Sequence, residues 1–316
     1  MALTFLKNYM NNNFVSVIIP SGRPDRVFLT VRSLLTQSVP SEMYEIIVVT
    51  PDPGELQRNF PEVRVIATDR LFPPGGMRNI GAQKARGRYL FFLDDDCMVP
   101  ENFVEYLTQI LRKKDQIGAV GCRVVAYDVT FWNRCADQAL FTAYQAKKEG
   151  ITAGLGSAAL AVKRDAFVAV GGFDEGLMAS EDWDFSLKLR ESGWLGWFTP
   201  EIEVRHDHRR GNFSGILRAA WQYGRASGLT VQRRHKGEVS WVAGMMVAAS
   251  RKRMYWLLML PYSCCLTLVW LFDTRPIKML PCLPVLFLAR MSYQCGVFIS
   301  LRDDFQNEIG EKNQEK

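Results

Sequence analysis

The sequence lacks the patterns that build disulfide frameworks, zinc knuckles and common nucleotide loops. Its seven cysteines are scattered and form no CxxC pair, which argues for reduced thiols and against a disulfide framework or a zinc knuckle. No internal repeat or low-complexity stretch occurs. The glycine-rich segment GGMRNIG has neither the GxGxxG spacing of a dinucleotide site nor the GK[ST] ending of a phosphate loop.

The first residues also lack a secretory signal. Residues 1–13 contain one lysine and no apolar run long enough for the hydrophobic part of such a signal. We therefore expect the N-terminal domain to stay in the cytoplasm. The chain has 316 residues, of which 48% are hydrophobic and 23% charged, so it can bury a sizeable core and is not disordered by composition.

The net charge of +6 is unevenly distributed. Between residues 203 and 253, lysine and arginine strongly outnumber the acids, and this basic belt suits nucleic acid, anionic lipid or a phosphorylated substrate. Within it, residues 213–231 have apolar side chains near helical spacing with Arg218 and Arg225 between them. Such helices beside apolar segments lie in membrane interfaces, although a solvated helix is an equal alternative. We expect no nucleic-acid partner, because the basic belt lacks an interleaved reading motif and adjoins an apolar segment.

The C-terminal part is apolar. Residues 254–272 carry no charge and are long enough to cross a bilayer, although Pro261 would kink the helix. Arg251–Arg253 precede them, as the positive-inside rule expects of a cytoplasmic flank. Residues 279–301 are also apolar but include Arg290, so they form a second span or an interfacial segment. We predict membrane attachment, with a buried soluble helix as the alternative.

The N-terminal half alternates short β-branched runs with helical patterns. Such alternation predicts an α/β fold with a mostly parallel sheet flanked by helices. The predicted strands cover 14–20, 44–50, 63–67, 89–93 and 154–162, and the predicted helices 27–37, 77–85, 164–171 and 181–192. In such sheets, ligands bind beyond the carboxyl ends of the strands.

Four polar elements carry the candidate chemistry. Asp94, Asp95 and Asp96 directly follow the apolar run YLFFL, and adjacent acids there favour a bound divalent cation, because it removes their repulsion. Solvated acidic loops are equally common. Arg78 in the glycine-rich segment offers a planar fork for phosphate oxygens, and a solvated arginine at a helix start is the alternative.

The other two elements lie later in the chain. Asp182 follows Glu181 at the start of a predicted helix, where acids are ordinary consequences of the helix dipole but where a carboxylate can also act as a general base. His206 and His208, two of the three histidines, stand at an apparent strand end. One of them can ligate a metal, although packing or surface roles are more common.

The order of these motifs resembles family 2 glycosyltransferases of the GT-A fold. The resemblance rests on VSVIIPSGRPDRVFLTVRSLLTQ, EIIVV, GGMRNIGAQKARGRYLFFLDDD, VKRDAFVAVGGFDE and EDWDFSLKLRESGW, and covers about residues 15–208. It implies a Rossmann-like nucleotide-sugar domain with a DxD metal site for Mn2+ or Mg2+. It also implies a nucleotide-sugar donor, with a UDP-sugar favoured, and inversion at the anomeric carbon by one direct displacement.

The resemblance also implies roles for individual residues. Asp182 matches the base, while Asp96 and His206 match metal ligands, with His208 as the fallback. The donor-binding positions it implies are Pro20, Arg23, Asp52, Arg78, Asp94 and Asp95. Asp52 is included because Thr50-Pro51 stands where many relatives have an aspartate, and the acceptor loop around Ser157 is less polar than usual. These departures concern the nucleotide base and the acceptor.

The sequence thus predicts three regions: a catalytic GT-A domain over 1–210, basic amphipathic interface helices over 211–253, and hydrophobic membrane-associated helices with a polar tail over 254–316. We expect a membrane-associated enzyme whose catalytic domain faces the cytoplasm and whose acceptor is a lipid or a glycan. Two rival interpretations are a nucleotidyltransferase of similar fold, which would release pyrophosphate, and a catalytically silent membrane scaffold.

Overall fold

The computed structural model describes residues 13–22, 24–141, 148–234, 255–274 and 277–314. The chain folds into two compact units: residues 1–127 with 143–208, and residues 128–142 with 209–316. Of the predicted site residues, Arg23 lies outside the described part. Residues 1–12, which bear on the signal prediction, and Arg251–Arg253 also lie outside it.

The first unit is built on a nine-stranded sheet. In chain order its strands are β1 Val15–Pro20, β2 Tyr44–Thr50, β3 Arg64–Ala67, β4 Tyr89–Leu93, β5 Cys97–Met98, β6 Ile117–Ala126, β7 Gly150–Thr152, β8 Ala159–Lys163 and β9 Leu195–His206. Its helices are α1 Pro24–Leu34, α2 Gly54–Asn59, α3 Pro74–Lys84, α4 Phe103–Lys113, α6 Arg164–Ala169 and α7 Glu181–Glu191. A short 3-10 helix covers Ser41–Met43.

The sheet changes character at β4. The strand order is β3-β2-β1-β4-β8-β6-β9-β5, and β7 pairs with β9. The pairs among β1, β2, β3 and β4 are parallel, β8 is antiparallel to both β4 and β6, and β9 is parallel to β6 but antiparallel to β5 and β7. The acidic triplet therefore follows the strand at which the parallel half of the sheet meets the mixed half.

Helices cover both faces of this sheet because the strands are apolar on both sides. Successive side chains of a strand point to opposite faces. In β4, Phe91 packs in one hydrophobic cluster and Phe92 in the other. The first cluster includes apolar residues of α1 and α4 and the second those of α3, α6 and α7. Burial of such runs on both faces is typical of parallel strands in α/β proteins.

The second unit is helical. It contains α5 Phe131–Leu140, α8 Phe213–Arg234, α9 Tyr255–Thr274, the 3-10 helix Ile277–Cys282 and α10 Leu283–Gln314. Its buried core joins Cys135 of α5 with Ile216 and Ala220 of α8 and with Leu286 and Ala289 of α10.

Helices α8 and α10 approach each other closely at two glycines. A Cβ at Gly224 would meet the carbonyl oxygen of Tyr293, and a Cβ at Gly296 would meet that of Trp221. The Ser292 hydroxyl also donates to the Leu217 carbonyl at 2.8 Å. Small residues at a helix crossing permit such backbone contact.

Among the described residues, one helix segment is long and apolar enough to cross a membrane, Leu280–Ser300. The segment predicted first, 254–272, coincides with α9, which has Pro261 in its interior and a shorter apolar stretch over Met259–Leu268. The span at 254–272 therefore stays a prediction, while the second apolar segment meets the length criterion.

Candidate active site

The acidic triplet forms a tight turn after β4. The Asp94 backbone N–H donates to the Ala158 carbonyl at 3.0 Å, and the Cys97 N–H donates to the Asp94 carbonyl at 3.2 Å. Asp95 and Asp96 are buried, whereas the Asp94 side chain is partly exposed. Each of the three carboxylates has its own side-chain partner, and these partners offset the repulsion among the acids.

Arg78 is the partner of Asp94 and links it to α7. Its Nη2 lies 2.6 Å from Asp94 Oδ1 and its Nη1 2.6 Å from Glu181 Oε1, while its side chain is 2% exposed. Burial by itself lowers the pKa of Arg78, but the two carboxylates outweigh it and raise that pKa above its ordinary value. The guanidinium is therefore a fixed positive charge between two acids that are far apart in sequence.

The glycines before Arg78 have a packing reason. A Cβ at Gly75 would lie 2.8 Å from the Asp174 carbonyl oxygen, so α3 can approach that loop only through glycine. The Asn79 side chain holds the same loop: it donates to the Phe173 carbonyl at 2.9 Å and accepts from the Phe173 N–H at 3.0 Å. The segment GGMRN thus docks the loop that leads to α7.

Asp96 lies between two cationic or polar side chains. Its Oδ1 is 3.0 Å from His206 Nε2, and its Oδ2 is 3.1 Å from Nη1 of Arg26, which belongs to the first turn of α1. Asp95 in turn accepts a hydrogen bond from the Ser21 hydroxyl at 3.0 Å. The loop after β1 and the first turn of α1 therefore hold two of the three acids.

The pairing of β5 with β9 places His206 beside Asp96. Cys97 is the cross-strand neighbour of His206, and the Asp207 N–H donates to the Asp96 carbonyl at 2.8 Å. The ring of His208, also buried, is perpendicular to that of His206 at a centroid distance of 5.6 Å. The sequence left open which of the two histidines would ligate a metal. In the structure, His206 is the one that contacts Asp96.

The residues fit a divalent metal ion. The ligand atoms of Asp96, Cys97 and His206 lie within 4.8 Å of one another. Burial and the neighbouring acids raise the pKa of the Cys97 thiol well above its ordinary value. Two ligands at right angles on an ion with bonds of about 2.1 Å are about 3.0 Å apart, and the Asp96–His206 distance is 3.0 Å. The Asp96 carboxylate suits a hard cation such as Mn2+ or Mg2+.

Asp182 opens α7 beside the acidic cluster. Its Oδ1 accepts the Trp183 N–H at 2.7 Å, and its Oδ2 accepts the Ser157 N–H at 3.4 Å. Burial and the charge of Glu181 raise the pKa of Asp182 to about 6, although the backbone donors and Arg78 oppose the shift. The Ser157 hydroxyl also donates to Glu181 at 3.2 Å. Asp182 is thus linked to Asp94 through Ser157, Glu181 and Arg78.

The remaining predicted donor residues lie at strand ends. Pro20 closes β1, and the Ser21 N–H that follows it donates to the Val49 carbonyl at 2.9 Å. Asp52 follows β2, is exposed, and donates its N–H to the Thr50 hydroxyl at 3.2 Å. Both lie at the carboxyl ends of parallel strands, the edge at which ligands bind.

Three residues of the site were not predicted from the sequence. Ser21, Arg26 and Ser157 each contact an acid, and each stands inside a segment used for the resemblance or for the acceptor loop. The signal that marks Ser21 and Arg26 is their position in the loop after the first strand and in the turn of helix that follows it. Ser157 carried no local signal.

The chain matches known glycosyltransferases in sequence. Residues 16–171 match the model of Glycosyl transferase family 2. An uncharacterized glycosyltransferase of Haemophilus influenzae is 30% identical over 189 residues, which cover 55% of this chain and 61% of that protein. The O-antigen biosynthesis protein RfbC of Myxococcus xanthus is 26% identical over 61% of this chain but only 17% of its own length. The chain thus spans less than two thirds of either relative.

Solved structures show the same fold. The mannosyltransferase PcManGT from Pyrobaculum calidifontis, in complex with GDP-Man and Mn2+, superposes with a TM-score of 0.61 at 18% identity, over 92% of this chain and 87% of that one. GalNAc-T7 with UDP, GalNAc and Mn2+ gives a TM-score of 0.50 at 20% identity, over 62% and 44%. The predicted α/β fold of the GT-A type is confirmed by these similarities.

Proposed function

From the premise that this chain belongs to glycosyl transferase family 2 through residues 16–171, we propose that it moves a sugar from a nucleotide-sugar to an acceptor with inversion at the anomeric carbon. One observation carries the proposal. Arg78 binds both Asp94 and Glu181 at 2.6 Å, so the acids expected at the donor and at the acceptor form one continuous site.

Asp182 is the proposed general base. A base works best when its pKa is near the operating pH, and the pKa of Asp182 is raised to about 6. Its carboxylate takes the proton of an acceptor hydroxyl, and that oxygen forms a bond to C1 of the sugar. The bond from C1 to the diphosphate oxygen breaks on the opposite face, and the electron pair leaves with the nucleoside diphosphate.

Asp96 and His206 are the proposed ligands of Mn2+ or Mg2+. The 3.0 Å between their ligand atoms supports this role, as does the Mn2+ present in the two solved structures. When bound, such a cation neutralises the charge that develops on the departing diphosphate.

The other donor contacts follow from the strand ends. Pro20, Arg23, Asp52 and Asp95 are proposed to bind the nucleotide part of the donor. Pro20 lies at the end of β1 and Asp52 follows β2. Arg78 acts through Asp94, because both of its terminal nitrogens already bind carboxylates. The solved relatives contain UDP or GDP-Man, and a UDP-sugar is the donor that we propose to test first.

The acceptor is proposed to be a lipid or lipid-linked glycan at the cytoplasmic surface of a membrane. Within the described residues, the apolar helix segment Leu280–Ser300 is long enough to span a bilayer, and a relative is named for O-antigen biosynthesis. Residues 1–210 would then form the catalytic domain, 211–253 the interface helices and 254–316 the membrane-associated part with its tail.

The test is a panel of nucleotide-sugars with Mn2+ or Mg2+ and a membrane lipid extract, followed by nucleoside diphosphate release and lipid mass. Asp182→Asn should remove most transfer while nucleotide-sugar binding stays nearly intact. Asp165→Asn, an exposed acid at the start of α6, is the matched control and should behave as wild type. Undiminished turnover by Asp182→Asn would exclude the base assignment, and pyrophosphate as the product would indicate a nucleotidyltransferase instead.

A further inference from the structure

The carboxylate expected to hold the metal ion already has a cationic partner. Arg26 Nη1 lies 3.1 Å from Asp96 Oδ2, and the arginine side chain is 15% exposed. No role was predicted for Arg26 from the sequence. Its position is fixed by α1, which begins at Pro24 directly after the loop of β1.

A divalent cation on Asp96 would come close to this guanidinium. The two oxygens of Asp96 point to different partners, Oδ1 to His206 and Oδ2 to Arg26. An ion held by Oδ1 and the imidazole is therefore a few ångströms from a full positive charge. Repulsion between a divalent and a monovalent cation at such a distance weakens cation binding by about a factor of ten, even at the dielectric constant of water.

When a diphosphate is present, Arg26 no longer opposes cation binding but favours it. A nucleoside diphosphate brings negative charge to the cation, and a guanidinium is a strong hydrogen-bond donor to phosphate oxygens. The Arg78 guanidinium is not available for this role, because it binds Asp94 and Glu181. Arg26 is thus a full positive charge in direct contact with the proposed metal ligand.

We propose that Arg26 makes cation binding depend on the nucleotide: it stays on Asp96 Oδ2 while no diphosphate is bound, and it turns to the diphosphate when cation and nucleotide bind together. The inference rests on the proposed function, since it assumes the metal site at Asp96 and His206. Arg26 would then couple the binding of the cation to the binding of the nucleotide, so that each ligand changes the affinity for the other.

The experiment is a titration of Mn2+ followed by electron paramagnetic resonance of the free ion, on the full chain, without nucleotide and with UDP or GDP. In Arg26→Gln, the Kd for Mn2+ alone should fall about tenfold, and the tightening caused by nucleotide should shrink by about the same factor. Arg26→Lys should stay near wild type because it keeps the charge. Arg32→Gln removes an exposed arginine of the same helix and should change nothing.

An unchanged or weaker Mn2+ affinity in Arg26→Gln would overturn the proposal. If that variant does not fold by circular dichroism, Arg26→Met takes its place with the same expectation and the same overturning result. Asp96→Asn should abolish Mn2+ binding in every condition. If the wild-type protein binds no Mn2+ with either nucleotide, the metal site itself is refuted. If the wild-type protein binds Mn2+ and Arg26→Gln has the same Mn2+ affinity, only the role of Arg26 is refuted.

Discussion

The two units differ in the interactions that hold their structures together. In the first, the sheet is buried on both faces and a few polar side chains at its edge are held by individual contacts, such as Arg78 with Asp94 and Glu181. In the second, helices pack through glycine and alanine, and large apolar side chains such as Leu257 and Leu268 are more than half exposed. The structure of the first unit therefore depends on contacts of individual polar residues. The structure of the second depends on its apolar composition and on small residues at one helix crossing.

The largest expected effect is on the first unit. Arg78→Met leaves Asp94 and Glu181 facing each other without their shared cation, and loss of one partner of a buried ion pair costs about 3 to 5 kcal/mol. Thermal unfolding together with hydrogen exchange should show the loss within residues 13–127 and 148–208. Arg32→Met, which removes an exposed arginine of α1, should cost less than about 0.5 kcal/mol. Equal stability of the two variants would contradict the linking role of Arg78.

The second expected effect is confined to the helical unit. In Gly224→Ala the new methyl meets the Tyr293 carbonyl, and such overpacking costs about 1 to 3 kcal/mol, more than the gain in helix propensity. A Cβ at Gly215 of α8 would lie 3.1 Å from the Asn212 side chain and 4.0 Å from the backbone of Arg210, so Gly215→Ala should cost less than Gly224→Ala. Hydrogen exchange of α8 and α10 measures both. Slower exchange in Gly224→Ala than in wild type would show that the close crossing is not required.

The smallest expected effect is a pH dependence. The proposed base must be ionised to accept a proton, and burial with the charge of Glu181 raises the pKa of Asp182 to about 6, so the rate should rise with pH through 6 and level off above 7. Between pH 7 and pH 5 the ionised fraction, and with it kcat at saturating Mn2+ and donor, falls about tenfold. Initial rates across this range, with Asp165→Asn as the control, test it. A flat profile down to pH 5 would indicate another base.

Much of the first unit could be predicted from local patterns. Strands β2 and β4 begin and end at the predicted residues, 44–50 and 89–93, because both are largely apolar runs bounded by turn or polar residues. No element was predicted over residues 98–153, although Phe103, Leu107 and Leu111 of α4 have helical spacing. The strand β6 was also missed. Its partners β8 and β9 come later in the chain, and pairing between distant segments cannot be detected from a short stretch of sequence.

The acids of the candidate site and two of their partners, Arg78 and His206, could be singled out from the sequence, but the other partners could not. Asp94–Asp96 and Asp182 stand out because charged residues directly follow an apolar strand or open a helix. Arg26, Ser21 and Ser157 do not, since their roles arise from contacts between segments distant in sequence. Polar residues in loops are common on any surface, and only the three-dimensional arrangement separates those that hold an acid from those that face water.

The pairing of β5 with β9 has a consequence for biogenesis. Asp96 and His206 are far apart in the chain and meet only after β9 has added to the sheet. Domains fold as their segments emerge from the ribosome. When only the first four strands have emerged, the acidic turn is formed without the imidazole of His206. If the proposed metal site is correct, affinity for the cation arises late in synthesis, and a nascent chain that stalls before β9 does not sequester the ion.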